Sequence, residues 1–140
     1  MNCNEWLKRW WQSKGFGIES KTDYAFLTDV IKEDYPYYAY DDIESSYPHA
    51  TQRELRVRKL IFRVRNAFPH EKVEVIDRDD TMLISRDARA IMLIGIQLDQ
   101  SALWQELLGH RHVITFDMED IGIAIFDVER HAQHYKILTV

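Results

Sequence analysis

The hydrophobic pattern of the chain changes its period at one place, between residues 68 and 73. Before that point, Thr51-Gln-Arg-Glu54 has the form of a capping box and opens a helix that Pro69 ends. After His70 the apolar residues form three short runs that are typical of strands, at 73–77, 81–85 and 90–97. The chain is therefore predicted to be an α/β protein. The apolar stripe of the long helix repeats at helical spacing and consists of Val57, Leu60, Ile61, Val64 and Phe68.

The links between the three strand-like runs are short, Arg78-Asp-Asp80 and Arg86-Asp-Ala-Arg89. Parallel neighbours need a crossover of about a dozen residues or more, so these strands are predicted to form an antiparallel meander over residues 73–97. A helix at 99–109 is long enough to return the chain parallel to the run at 90–97. Strands at 112–118 and 122–128 are predicted to form a hairpin, and 135–140 to add an edge strand.

Together these elements predict a mixed sheet of about five or six strands with N-terminal helices, a reduced Rossmann-like α/β fold. The 140 residues are near the usual size of one domain. We expect a single domain over 1–140, with a helical and tyrosine-rich arm at 1–50 and an α/β core at 51–140.

Composition limits the classes of partner. The formal net charge of −5 disfavours a nucleic-acid or acidic-membrane binder. One cysteine, Cys3, forbids an internal disulfide framework and fits a reducing compartment, so we expect a cytoplasmic address. The longest apolar run, 90–96, is too short to span a bilayer, and we predict no membrane partner.

The N-terminal segment predicts a short helix capped by Asn4, with its apolar residues on one face. This face can cap the chain's own core or dock on a neighbouring subunit. A strand edge left open near 135–140 is a second place that another copy can cover. We therefore expect a homodimer, with a protein partner as the wider class. The candidate oligomer contacts are Trp6, Trp10 and Trp11.

A second helix is predicted from the capping box Ser20-Lys-Thr-Asp23 to about Lys32. Residues 35–47 hold five tyrosines and are predicted to form a docked irregular arm. On the long helix, Arg56, Lys59 and Arg63 share a face that can contact phosphates or an acidic partner; the alternative is a solvated face paired with the acidic residues 41–44. No aromatics interleave with these cations at base-reading positions, which favours the alternative over nucleic acid. The candidate contact surface consists of Arg56, Lys59, Arg63, Tyr37, Tyr38 and Tyr40.

Several stretches at the two ends of the chain share a pattern with one family. They are Gly17-Ile-Glu-Ser20, residues 26–31, Tyr37-Tyr-Ala-Tyr-Asp-Asp-Ile-Glu44, Trp104-Gln-Glu-Leu107, Val113-Ile-Thr-Phe-Asp117, Gly122-Ile-Ala-Ile-Phe126 and Gln133-His-Tyr-Lys136. Together they resemble a bacterial family of class I S-adenosylmethionine-dependent methyltransferases. The resemblance implies a truncated, degenerate relative, because the cofactor in such enzymes requires a glycine-rich turn after the first strand, and here Asp77 is followed by Arg78-Asp-Asp80. No cofactor and no catalytic or metal-binding residue are predicted.

A rival interpretation comes from topology, since the predicted order αβββαβ is that of PD-(D/E)xK-type nucleases. Those enzymes need a Glu-x-Lys on the third strand, where this chain has Gly95-Ile-Gln97, although Asp79 and Asp80 can supply metal ligands. The spacings His110-x-His112 and His131-x-x-His134 lack the usual sulfur or carboxylate company and are typical of surface histidines.

The sequence thus predicts a noncatalytic, methyltransferase-like domain that acts in binding or assembly. Two alternatives stay open: a methyltransferase completed by a partner chain, and a nuclease-like domain that binds DNA.

Overall fold

The structure, a computed structural model, describes residues 2–86 and 91–138. In chain order its elements are α1 (Cys3–Ser13), α2 (Lys21–Phe26), a π-helical turn (Leu27–Ile31), α3 (Ala39–Ser46), α4 (Gln52–Ala67), β1 (Val73–Ile76), α5 (Met82–Arg86), β2 (Ile91–Ile94), a 3-10 turn (Leu98–Gln100), α6 (Ala102–Leu108), β3 (Val113–Asp117), β4 (Gly122–Phe126) and β5 (Gln133–Lys136).

The described chain packs as two compact units. The sheet unit contains the residues up to Ile18 and those from His70 onward, and the helical unit is Glu19–Pro69. This division differs from the expected boundary at residue 50, because α1 belongs with the sheet whereas α4 belongs with α2 and α3.

The helical unit follows the capping signals of its sequence. The Thr51 hydroxyl accepts a hydrogen bond from the Glu54 amide (3.1 Å), which confirms the predicted start of α4. Ser20 caps α2 in the same way, and the predicted continuation to about Lys32 is confirmed, with a π-helical last turn. The arm at 35–47 is not irregular throughout, because it contains α3. Two acids in the first turn of α3, Asp41 and Asp42, lie where the helix dipole favours negative charge.

Within the described residues the sheet is mixed and has five strands in the order β1-β2-β4-β3-β5. The pairs β1–β2 and β3–β5 are parallel, and the two pairs that involve β4 are antiparallel. This confirms the mixed α/β fold and the C-terminal hairpin. The predicted helix at 99–109 is a 3-10 turn followed by α6. It returns the chain in the direction of β2, but β4 lies between β2 and β3.

The prediction of an antiparallel meander at 73–97 is wrong. Residues 81–85 were expected to form a strand, but Met82–Arg86 is helix α5, and β1 and β2 are parallel. The reason is that β1 and β2 are separated by 14 residues, a length sufficient for the crossover that a parallel pair needs and for a helix within it. The second short link includes residues 87–89, which lie outside the described part. The αβββαβ order on which the nuclease alternative depended is therefore not observed.

Helices α5 and α6 cover one face of the sheet. Gly122 lies where this packing is closest, because a Cβ atom at that position would be 2.6 Å from Cζ3 of the buried Trp104 ring. The face and its helices form one apolar cluster of Ile76, Leu83, Met92, Ile94, Leu98, Leu103, Trp104, Leu107, Val113 and Ala124.

The predicted edge strand at 135–140 is β5, which begins two residues earlier; residues 139 and 140 lie outside the described part. Its neighbour β3 joins β4 through a tight turn. In this turn Glu119 has a backbone φ of 77°, a conformation that residues other than glycine rarely adopt. The outer edge of β5 is the point at which α1 docks.

Candidate functional site

Helix α1 is amphipathic, but it buries polar residues and exposes apolar ones, the reverse of the usual orientation. Asn2, rather than the expected Asn4, caps it by accepting from the Glu5 amide (2.8 Å). The residues that α1 buries are Arg9 and Ser13, which are only 3% and 7% exposed. A surface helix normally turns its apolar stripe inward, so the polar buried face needs a physical reason.

The reason begins with the Arg9 guanidinium. Its Nη1 donates to the Asp117 backbone carbonyl (2.8 Å), to Asp117 Oδ1 (2.9 Å) and to the Ile137 carbonyl (3.1 Å). Its Nε and Nη2 donate to Glu5 Oε1 at 3.2 and 3.1 Å. The cation is thus surrounded by acceptors, which is the condition under which a buried charge is tolerated.

Two other side chains of the buried face bind the outer edge of β5 and the residues after it. Gln12 Oε1 accepts from the Lys136 amide (2.7 Å), and Ser13 Oγ accepts from the Leu138 amide (2.8 Å). Helix α1 therefore supplies acceptors to an edge that would otherwise offer free N–H groups to another strand. In the described part of this edge, α1 takes the place at which a second copy was expected to pair.

The opposite face of α1 carries the predicted oligomer contacts. Trp6, Trp10 and Trp11 are 46%, 38% and 53% exposed, so this face does not cap the chain's own core. Phe16 extends it by stacking on Trp11, with ring centroids 4.2 Å apart. At about 250 Å² per tryptophan, the three indoles leave roughly 350 Å² in solvent. We call these four residues, with Leu7, the tryptophan face.

The predicted contact surface of the helical unit is dispersed by its internal contacts. Arg63 is buried and donates to the Val30 and Ile31 carbonyls (2.6 and 3.0 Å) and to the Tyr40 hydroxyl (3.1 Å). Its guanidinium therefore caps the end of the π-helical turn. Lys59 donates to Glu44 (2.6 Å), which is the pairing with the acidic arm that the alternative predicted.

The tyrosines of the arm divide in the same way. Tyr37 and Tyr40 pack edge-on against Phe62, at 5.6 and 5.8 Å between ring centroids. Tyr38 is 93% exposed and Arg56 is also exposed. Of the six predicted residues, only these last two point freely into solvent, so the structure does not assemble the six into one surface.

The turn after β1 shows what replaces the glycine-rich loop. Asp79 accepts from the Leu103 amide (2.8 Å), the Ser101 hydroxyl (2.8 Å) and the Ala102 amide (3.0 Å). These hydrogen bonds, that from Leu103 first, lower the pKa of Asp79. A carboxylate thus binds the start of α6 at the edge where open parallel sheets accept phosphates, and its charge would repel them. Within the described residues no group of three or more histidines, cysteines or acids is placed to hold a metal ion.

A small cleft in the sheet unit lies between α1, the end of α6 and strands β3 and β5, with a volume of about 290 Å³. His134 Nδ1 lies there at 2.8 Å from the buried Thr115 Oγ1. Partial burial lowers the pKa of His134, and a hydrogen bond to the Leu108 backbone opposes this shift. The lining residues are Lys8, Gln12, Leu108, Thr115, Asp117, His134, Tyr135 and Lys136.

The sequence pattern did not identify this cleft, because its walls come from both ends of the chain and depend on the β3–β5 register, which pairs Thr115 with His134. The other histidines of the two spacings do not join it: His112 Nδ1 lies 2.7 Å from the Arg130 carbonyl, and the His110 ring lies edge-on to Phe126. A usable signal was the i, i+4 series Glu5, Arg9 and Ser13, which marks a polar stripe on α1.

None of the helices in the described residues is both long and apolar enough to cross a bilayer. The fold and the site define a mixed α/β protein with an open sheet and an outward-facing aromatic helix. Comparisons with protein-family models, curated proteins and solved structures found no match. The resemblance to methyltransferases therefore stays a prediction.

Proposed function

We propose that this protein is a noncatalytic assembly domain that joins a second copy of itself through the tryptophan face of α1. The observation that carries the proposal is the reversed orientation of α1, which turns three tryptophans outward and fixes the polar face on the sheet edge. Exposed aromatic clusters of this kind are typical of interaction surfaces.

The free energy that burial of the exposed indoles would recover is large enough to support an interface. At about 25 cal/mol per Å², the roughly 350 Å² of exposed indole corresponds to ~9 kcal/mol per copy that burial would recover. Two copies would recover about twice this amount, against an association cost of roughly 4–15 kcal/mol. A standard interface buries about 800 Å² per partner, so the indoles supply nearly half of one side.

The charges of α1 favour a second copy as the occupant. A cation lies beside the tryptophan face: Lys14 Nζ is 5.8 Å from the centre of the Trp10 ring. Two such faces related by a two-fold axis, with their helices antiparallel, place the two Lys14 side chains at opposite ends of the interface. A helix that binds a membrane surface needs its basic polar face available for head groups, whereas Arg9 here is buried in the sheet unit.

Sedimentation equilibrium tests the proposal. The wild type should be a dimer at micromolar concentration, and the triple variant Trp6→Gln, Trp10→Gln, Trp11→Gln should be a monomer with an unchanged far-UV circular dichroism spectrum. Val128→Gln is the control, because it removes an 82% exposed apolar side chain outside the face. A wild type that is monomeric at all concentrations, or a triple variant that stays dimeric, would contradict the proposal.

The noncatalytic part of the proposal has its own test. Asp79 accepts hydrogen bonds from the Ala102 and Leu103 amides at the start of α6, so these N–H groups are not free for the carboxylate of a cofactor. Isothermal titration with S-adenosylmethionine should therefore give no saturable heat. Micromolar binding at one site per chain would overturn this part and favour the alternative of a residual methyltransferase, which then should transfer a methyl group in a complex with its partner chain.

A further inference from the structure

The cleft beside α1 has walls from four elements of the sheet unit and a floor that is already ordered. The Thr115 side chain is fully buried on β3, and its hydroxyl holds the His134 ring on β5 at 2.8 Å. Lys8 and Gln12 project from α1, and the Gln12 carbonyl oxygen is fixed on the Lys136 amide. The polar groups of the cleft are thus held in place by contacts with its own walls, which is a property of binding sites.

The charge in the cleft is unbalanced in favour of cations. Asp117, its one acidic lining residue, is paired with Arg9 at 2.9 Å and also accepts from the Glu119 amide at 2.8 Å. Glu5, the other acid near the cleft, is bound by the same Arg9, and the charge of Lys136 acts on it. In the described residues no carboxylate lies within ion-pair distance of Lys8 or Lys136. Lys8 and Lys136 therefore line this space without an ion pair to another described residue.

We propose that the cleft between α1 and the β3–β5 edge is a binding site for a small organic anion, a carboxylate or a phosphate monoester, held by Lys8 and Lys136 beside His134. Ammonium groups recognise anionic oxygens by charge-assisted hydrogen bonds. A volume of about 290 Å³ equals that of about ten liquid waters, the lower end of the range for ligand pockets. The proposal does not depend on the tryptophan face.

The site also predicts proton uptake. The groups that face His134 are Lys8 and, next to it, Arg9 and Glu5 on α1, Asp117 on β3 and Lys136 on β5, while α6 contributes the Leu108 backbone. Because burial lowers the pKa of His134, its ring is neutral near neutral pH in the absence of an anion. A bound anion favours the imidazolium and raises that pKa, so binding of a given ionic form of the anion should strengthen as the pH falls through the histidine range.

The experiment is an NMR titration of the full chain that follows the His134 ring signals, with inorganic phosphate in one arm and succinate in the other. A saturable change at His134 with a raised pKa is expected in at least one arm, and the stronger arm identifies the anion class. In the double variant Lys8→Gln, Lys136→Gln the affinity should fall roughly tenfold or more. Lys14→Gln, which removes the lysine that directly follows α1 and does not line the cleft, should leave the affinity unchanged.

A second variant separates the roles. His134→Asn keeps a hydrogen-bonding side chain that does not titrate. Followed through the backbone amide signals of Thr115 and Lys136, this variant should retain anion binding but lose the increase at lower pH. No saturable change at His134 with either anion, or an equal response in the wild type and the double lysine variant, would overturn the proposal.

Discussion

The buried polar face of α1 predicts a large loss of stability on substitution of Arg9. The Arg9 side chain is only 4% exposed, and Arg9→Met keeps most of its aliphatic stem but removes the guanidinium. Three hydrogen bonds to Asp117 and Ile137 are lost together with the two to Glu5. The variant therefore leaves acceptors at the end of β3 and after β5 that faced a cation in the wild type.

The magnitude follows from these contacts. The Asp117 side chain is 15% exposed, so its carboxylate loses its counterion in a mostly dry place, but it keeps the hydrogen bond from the Glu119 amide. Breaking a buried ion pair costs about 3–5 kcal/mol, and the remaining hydrogen bond places this case at the low end. Glu5 is more exposed and adds little. We expect Arg9→Met to lower the free energy of unfolding by ~3 kcal/mol.

The assay is urea denaturation at one fixed protein concentration, since self-association would also change the apparent stability. Lys14→Gln, which removes a cation from the opposite face of α1, should change the free energy of unfolding by no more than about 0.5 kcal/mol. In a double-mutant cycle with Asp117→Asn, Arg9→Met should show a coupling of about 1–3 kcal/mol. A loss below about 1 kcal/mol for Arg9→Met would refute the docking of α1 through its polar face.

The pH dependence gives an independent check on the same residue. The hydrogen bond from Arg9 lowers the pKa of Glu5 below its usual value. A carboxyl group whose pKa is lowered by folding stabilises the fold above its unfolded pKa and loses that contribution as the pH falls through its folded pKa. Arg9→Met should therefore flatten the dependence of stability on pH in the acidic range.

Two further predictions concern the sheet and its first turn. Gly122→Ala should lower the free energy of unfolding by about 2–3 kcal/mol in urea denaturation, because its Cβ would lie 2.6 Å from the buried Trp104 ring. The control is Gly95→Ala, whose Cβ would meet only the Ile76 carbonyl at 3.9 Å and which should be nearly neutral. Equal effects of the two substitutions would contradict the close packing at Gly122. Asp79→Ala should lower the melting temperature at neutral pH, and the deficit should shrink as the pH falls, because hydrogen bonds led by that from Leu103 lower the pKa of Asp79 and protonation removes what they contribute; a deficit independent of pH would refute its role at the start of α6.

The sequence predicted an element correctly where the contacts that determine its structure lie within one segment of the chain. Helix α4 was predictable because its capping box and stripe lie within one segment, and the β3–β4 hairpin because its strands adjoin one tight turn. The failure at 81–85 has a physical cause: a short apolar run fits a strand or a buried turn of helix equally well. Leu83 faces the α6 cluster from a helix, and only the tertiary packing decides this.

The orientation of α1 could not be predicted from the sequence pattern for a related reason. The spacing of the tryptophans identifies one apolar face, but it does not say whether that face is inside. The answer lies more than one hundred residues away, in the Lys136 and Leu138 amides and the Ile137 carbonyl, which Gln12, Ser13 and Arg9 bind. The resemblance to methyltransferases and the contact surface on α4 concern partners and ancestry, and they stay predictions.

The same contacts explain why the tryptophan face cannot simply turn inward. Rotating α1 by half a turn would bury indole surface, but it would remove the acceptors of the Lys136 and Leu138 amides and leave Asp117 without Arg9. Each buried polar group left unpaired costs about 1–3 kcal/mol, and a buried unpaired carboxylate costs more. One helix cannot satisfy a polar strand edge and bury its own tryptophans at the same time. The proposed second copy would resolve this conflict, since it would cover the tryptophans without disturbing a hydrogen bond of the edge.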